Sequence, residues 1–439
     1  MREIVLILSI SIAAAGMLAQ ADDRPNVVFL LSDDQGWGDY GFMGHPHLKT
    51  PNLDQLAGEG LLYERGYATA SICRPSLASI VTGLYPHQTA VRGNGPLMGK
   101  DKDDKEWKKD EKLRSLARER SQAMTATLAH APSIVRQLGD NGYATLQTGK
   151  WWEENPLDHG FKEGMTQGGH AGDLGLEIGR KTMQPIYDFV DRAEKAAQPF
   201  FIWYGVFLPH TPHNAPNRLY LKYKEIAPDE ATARYWANIA WLDETCGQLV
   251  DYLKEKELYD NTLFIFTADN GWQPDPKTVG GYIRSKKEPV EAGVRTPIFL
   301  THKNSILPHR DKETLASNID IAPTILNACG IEPNKAMSGL DLRKPEALAR
   351  RDRIFVDVYE VDIRLDAVED VDSDIVARVV VDGWDKLIVR PGSHELYDLK
   401  NDPDDRRDLS AEDPYKVKKL SALMDNWLEI TPIIFPRAP

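Results

Sequence analysis

Asn26-Val27-Val28-Phe29-Leu30-Leu31-Ser32-Asp33-Asp34-Gln35-Gly36 begins as an unbroken apolar run and ends on two adjacent carboxylates. A run that is apolar at every residue, rather than at alternate ones, predicts a strand covered on both faces, as in a parallel sheet. Two aspartates at the carboxyl end of such a strand are costly unless a cation meets them. They also stand where open α/β sheets bind their ligands. A solvated turn would account for the pair if it stood alone. It does not: Thr262-Leu263-Phe264-Ile265-Phe266-Thr267 is a second apolar run, and it ends in Ala268-Asp269-Asn270-Gly271. Asp33, Asp34, Asp269 and Asn270 carry hard carboxylate and amide oxygens of the kind a divalent cation takes. Each cluster explains the charge of the other.

Two further runs end in polar residues. Tyr143 to Thr148 leads into Gly149-Lys150-Trp151-Trp152, and Phe200 to Phe207 leads into Leu208-Pro209-His210-Thr211-Pro212-His213. A lysine at a strand end can pair with an oxyanion. Between the strands lie helical patterns, at Ala131–Gly139 and, with apolar residues at helical spacing, from Asp229 to Lys256. Thr50 to Gly60 reads as a short helix that Asn52 can cap and Gly60 can close in the left-handed conformation. The alternation predicts an α/β fold, a mainly parallel sheet sandwiched by helices. The candidate residues fall at the carboxyl ends of separate strands, so the fold gathers them at one edge. Near Lys344 the character changes, and strands at Ile354–Val358 and Ala377–Val381 with a helix from about Ala411 to Trp427 predict a smaller sheet-plus-helix unit. The expected division is 22–345 and 346–439.

Ser71-Ile72-Cys73-Arg74-Pro75-Ser76-Leu77 places a cysteine at a helix start, where free N–H groups and the helix dipole favour an anion. The chain's three cysteines, Cys73, Cys246 and Cys329, form no full disulfide framework. Cys246 and Cys329 read as buried thiols. A net charge of −13 argues against nucleic acid as a partner. Residues 1–21 read as a signal peptide: an apolar core from Ile4 to Leu18 and an Ala19-Gln20-Ala21 cleavage site. That run is short for a membrane span, and no other run is long enough, so the expectation is an exported protein with no span after cleavage. Lys100 to Gln122 is dense in both signs of charge. It reads either as a solvated helix or as a lid whose basic residues meet an anionic substrate.

Taken in order, these segments resemble the formylglycine-dependent sulfatases of the alkaline-phosphatase-like superfamily. Cys73 to Gly83 is similar to C-x-P-S-R-x-x-x-L-T-G, Thr50 to Gly60 to T-P-N-L-D-x-L-A-x-x-G, and Gly142 to Trp152 to G-Y-x-T-x-x-x-G-K-W-H. Pro156 to Phe161 matches P-x-x-H-G-F, with His159 read as structural. Lys286 to Pro297 resembles K-x-x-x-x-E-G-G-x-R-x-P, and Glu395 to Pro403 matches E-L-Y-D-L-x-x-D-P. The pattern departs at Leu77, an arginine in the family, and at Trp152, a histidine there. The resemblance implies that a maturation enzyme oxidises Cys73 to formylglycine, whose hydrate attacks the sulfur of a sulfate ester. It implies one Ca2+ on Asp33, Asp34, Asp269, Asn270 and residue 73, with Lys150, His210 and Lys286 acting on the transferring group. His213 is a weaker candidate. The implied substrate is a sulfated small molecule or glycan. With departures at Leu77 and Trp152, two other readings stay open, a catalytically silent sulfatase-like binding protein and a phosphoester or phosphonate hydrolase of the same superfamily.

Overall fold

The computed structural model describes residues 24–98, 106–167, 173–364 and 370–434. Residues 1–21, read as a signal peptide, lie outside the described residues, as does much of the first half of the charged segment.

An eight-stranded sheet forms the centre. Its order is Glu163–Gly164, Ala144–Gly149, Phe200–Gly205, Asn26–Ser32, Thr262–Ala268, Ile298–Thr301, Leu61–Tyr67 and His309–Ser317. Among these strands only Ile298–Thr301 runs against its neighbours. The central strand is buried at every residue, and its side chains divide between two cores. Val27, Phe29 and Leu31 pack with Leu77, Ile80 and Val81 of the Cys73–Thr82 helix and with Ile134, Val135 and Leu138. Val28 and Leu30 pack on the other face with Leu53, Leu56, Ile186, Phe189, Leu242 and Leu249. Alternation along one strand therefore holds helices on both faces.

The 26-residue helix Glu230–Glu255, capped by the Asp229 carboxylate on the Thr232 N–H, supplies most of the second core. It also corrects the expectation for the short helix at Pro51–Glu59. That helix begins after Thr50, and Asn52 does not cap it. The Asp243 carboxylate does so from the long helix, accepting the N–H of Leu53 at 2.8 Å and of Asn52 at 3.3 Å. The Asn52 side chain instead donates to Asp243. Gly60 is extended, with φ −130°, and not left-handed. Glycine is needed there because a Cβ would run into the Leu300 carbonyl and the Thr301 hydroxyl.

Past the main sheet, Arg353–Tyr359, Ile375–Asp382, Asp385–Arg390 and Ser393–Asp398 form a separate antiparallel sheet. The helix Pro414–Ile430 covers one face, with Trp427 stacked on Phe355 at 4.5 Å. The opposite face meets Tyr67, Val294 and Leu315 of the main unit. Within the charged segment, Glu111–Leu128 is a helix capped by Asp110, exposed over its first turns and anchored at its end by the buried Met124 and Leu128. None of the three cysteines is in a disulfide, and all are buried. No described helix is long and apolar enough to cross a membrane.

Candidate active site

The carboxyl ends of four adjacent parallel strands place the site. Asp33 and Asp34 follow the central strand. Asp269 and Asn270 follow its neighbour on one side. On the other side the Phe200–Gly205 strand leads to His210, and the strand beyond it ends at Gly149, before Lys150. Gly149 has φ +69°, and a Cβ on it would collide with the Gly205 carbonyl, so only glycine turns the chain there. Three non-glycine residues of the site also hold left-handed backbones: Asp34 (φ 62°), Phe207 (φ 58°) and Lys287 (φ 71°). Such conformations cost about 1–3 kcal/mol each and persist where the surroundings impose them.

Ligand atoms of Asp33, Asp34, Cys73 and Asp269 all lie within 4.8 Å of one another. The Cys73 Sγ is 4.0 Å from Asp34 Oδ1. Asn270 Nδ2 donates to that same oxygen at 2.8 Å, and the Asp34 N–H donates to Asp269 Oδ1 at 3.0 Å. Lys150 Nζ bonds Asp33 Oδ1 and lies 3.3 Å from Asp269 Oδ2. Lys286 Nζ lies 2.7 Å from Asp34 Oδ2, with His210 Nε2 3.4 Å from the same oxygen. The structure thus brings together Cys73, Lys150, His210, Lys286, Asp33, Asp34, Asp269 and Asn270. His213 is buried nearby against Tyr235 and Trp272.

Two oxygens decide whether the cluster suits a cation. Asp33 Oδ2 and Asn270 Oδ1 are buried and receive no hydrogen bond. Unsatisfied acceptors of this kind are rare and costly. Two of them, beside further carboxylate oxygens from Asp34 and Asp269, match the donor set of a hard divalent cation. The electrostatics agree. Burial raises Asp33 despite Lys150, and burial pushes Asp269 up to about 6. Burial also works against Asp34, but Lys286, His210 and Lys150 outweigh it and hold that carboxyl well below its usual range. Burial pushes the Cys73 thiol up although both lysines favour the thiolate. An unmodified thiol here is neutral, and sulfur is a soft partner for calcium.

The Cys73–Thr82 helix is fixed from three sides. Ser76 Oγ donates to the Asp269 carbonyl and accepts from Asn318 Nδ2 at 2.9 Å. The Lys287 N–H donates to the Ser71 carbonyl at 2.9 Å. The third tie was not read from the sequence. Arg74, fully buried, forms a two-pronged pair with Glu153, Nε and Nη2 each 2.8 Å from a carboxylate oxygen. Its remaining donors reach Ser121 and Thr125 of the Glu111–Leu128 helix. The available signal was an arginine inside an otherwise apolar helix, which must find an acid. Leu77 and Trp152 lie in the first core with Trp151, and His159 packs its ring on Trp151 at 5.7 Å.

Known proteins resemble this chain in sequence and fold. The family model described as Sulfatase matches residues 25–331, and the model for the C-terminal part of N-sulphoglucosamine sulphohydrolase matches 285–430. The chain is 28% identical over 383 residues to an N-acetylgalactosamine-6-sulfatase of Sus scrofa, covering 77% of this chain and 68% of that protein. It is 29% identical over 394 residues to arylsulfatase A of Homo sapiens, covering 76% and 70%. Among solved structures, a putative sulfatase of Bacteroides fragilis superposes with a TM-score of 0.75 at 20% identity, over 95% of this chain and 98% of that one. A family model that spans most of the chain, over a sheet edge that gathers the residues described above, places this protein in the sulfatase family.

Proposed function

We propose that the protein hydrolyses sulfate esters on carbohydrate, with residue 73 as nucleophile. The observation that carries this is the convergence of three carboxylates and an amide, two of their oxygens left without donors, around a cysteine at a helix start. Asp33, Asp34, Asp269 and Asn270 would hold a calcium ion beside residue 73 matured to formylglycine, and these groups would supply charge neutralisation and an acidified hydroxyl. The chain's own residues do the rest. Lys150 and Lys286 place two ammonium groups at the cluster, where they stabilise negative charge on the transferring group. His210 Nδ1 lies 2.7 Å from the Thr211 carbonyl, which assigns the proton to Nδ1 and turns Nε2 toward the cluster. The Lys286 ammonium can give the departing alcohol its proton, and Nε2, unprotonated in this tautomer, can do so only after first accepting one. The helix dipole at Cys73 favours the anionic form of whatever stands there. Maturation of Cys73 by a formylglycine-generating enzyme, and export directed by residues 1–21, belong to the same proposal.

A second reading, a silent binder of sulfated glycans, rests on Leu77, which puts a buried apolar side chain where the family pattern has an arginine. Mass spectrometry of the peptide holding Cys73, after expression in a host with the maturation enzyme, separates the two. Loss of the thiol with turnover of aryl sulfates supports the hydrolase. An intact thiol with no turnover of any sulfate ester supports the binder. Faster turnover of aryl phosphates than of aryl sulfates overturns both in favour of a phosphoester hydrolase.

A further inference from the structure

The outermost strand of the main sheet, Glu163–Gly164, runs parallel to Ala144–Gly149. Thr166 and Gln167, just beyond its carboxyl end, therefore emerge at the same sheet edge as Lys150. Facing these two residues across a cavity of about 650 Å³ are Arg118 and Gln122 of the charged helix, with Glu154 and Asn155 of the loop after Lys150 completing the wall. The volume lies within the range of small-molecule sites, roughly 300–1,000 Å³. Those sites are usually apolar. All six residues here instead carry hydrogen-bonding side chains, a set of hydroxyl, amide, carboxylate and guanidinium groups suited to a hydroxyl-rich ligand.

Two contacts tie this cavity to the reaction centre. The Thr166 hydroxyl donates to the carbonyl of Gly149, the residue before Lys150, at 3.2 Å. Gln122 follows Ser121, whose hydroxyl and carbonyl accept from Arg74, the neighbour of Cys73. Glu154 holds a left-handed backbone, φ 54°, at the cavity wall. Strain of this kind collects where a side chain must be aimed. Arg118 is exposed and has no ion-pair partner among the described residues. A larger cavity, about 770 Å³, opens around Glu59, Tyr259 and Asp260 at the opposite edge of the sheet, away from Lys150 and the carboxyl ends of the strands.

We propose that this cavity is a subsite for a second sugar unit, so that the substrate is an oligosaccharide and not a monosaccharide sulfate. The charged helix is then neither a solvated ornament nor a moving lid. It is a fixed wall, held by Arg74, that presents Arg118 and Gln122 to the neighbouring sugar. This rests on the sulfatase reading.

The test uses the full-length matured protein and a panel of monosaccharide sulfates, each paired with the disaccharide made by adding one hexose. The readout is the ratio of kcat/KM for each disaccharide to that for its monosaccharide. In the wild type the ratio should exceed one by about tenfold, the worth of one or two hydrogen bonds. In Arg118→Ala/Gln122→Ala it should collapse toward one, while Lys112→Ala, on the exposed start of the same helix, should leave it in place. A wild-type ratio at or below one overturns the subsite. So does a variant in which both substrates lose activity in parallel. Should the wild type turn over no sulfate ester, calorimetric titration with the same disaccharides decides separately. Binding weakened by the double substitution keeps the subsite while the hydrolase reading falls, and binding indifferent to it removes the subsite.

Discussion

Arg74→Met is the most informative single change, because the pair it breaks is sealed and its geometry is complete. The side chains of Arg74 and Glu153 are 0% and 5% exposed. Both prongs are 2.8 Å, and the Thr125 hydroxyl donates to the same carboxylate at 2.7 Å. Replacing the arginine leaves Glu153 with one neutral donor in a dry site, and stranding one member of such a pair costs about 3–5 kcal/mol. Set against a typical stability of about 5–15 kcal/mol, that is a large fraction. Glu153→Gln alone strands the guanidinium and should cost a similar amount. The double variant leaves no uncompensated charge, so its cost should fall well below the sum of the two. Urea unfolding of the three variants and the wild type gives the coupling directly. The pH dependence provides a second check. Burial opposes ionisation of Glu153, but Arg74 and Thr125 outweigh it and hold the carboxyl below its ordinary value of 4.5. The stabilisation is therefore complete above about pH 4.5 and is lost as pH falls through the lowered value. Arg74→Met should remove that acid-side loss. A single-variant cost under about 1 kcal/mol, or strict additivity in the double variant, refutes the reasoning.

Asp269→Ala removes one of three carboxylates from the cluster, and calcium bound after exhaustive dialysis, read by elemental analysis, should fall to background; unchanged calcium content dismisses the metal site. Lys386→Met should destabilise by about 3–5 kcal/mol in chemical unfolding, since Lys386 lies buried between Glu291 Oε1 at 2.9 Å and Asp405 Oδ2 at 2.8 Å. Both acids anchor the segment that carries Lys286, because Asp405 also accepts the Glu291 N–H at 2.7 Å. The surviving folded fraction should thus show a reduced kcat, and an unaltered kcat would confine Lys386 to stability alone. Asp243 is pushed up from 3.8 to about 6 by burial, despite its bonds to Leu53 and Asn52. Its folded form holds the proton more tightly than the unfolded chain, so its contribution, roughly 3 kcal/mol at most, is present below pH 3.8 and lost as pH rises through about 6. Asp243→Asn should flatten the stability profile across that window, and a slope identical to the wild type would assign it to other groups.

What could be read from the chain divides by the range of the interaction. The Asn26–Ser32 strand was legible because burial on both faces imposes an unbroken apolar run, and the acids after it were legible because charge at such a place needs a partner. The same logic reached Asp269, Asn270 and Lys150, each at the end of another buried strand. Asn52 and Gly60 were misread because local capping rules know nothing of the helix Glu230–Glu255. Asp243 reaches across 191 residues of sequence to take the two N–H groups that Asn52 could not serve. Gly60 answers to the backbone of Leu300, not to a helix end. The tie from Arg74 to Glu153 spans 79 residues and had only a generic signature, a charge inside an apolar helix.

Leu77 and Trp152, read from the sequence as two separate departures, prove to be neighbours. Both line one small closed void with Trp151 and His159, and Leu77 packs in the same core as the Cys73 helix. An arginine at position 77 would enter that void, which Arg136 already lines, and find Glu153 already held by Arg74. With no second acid among the residues lining the void, its charge would be stranded at a cost of several kcal/mol. The arginine beside the cysteine and the leucine three residues after it are therefore one arrangement. Position 74 pairs the acid that comes after the Lys150 turn, and position 77 stays apolar because that acid is taken. Leu77 thus fits the way this chain anchors the Cys73–Thr82 helix, and it leaves the oxygen cluster facing Cys73 intact.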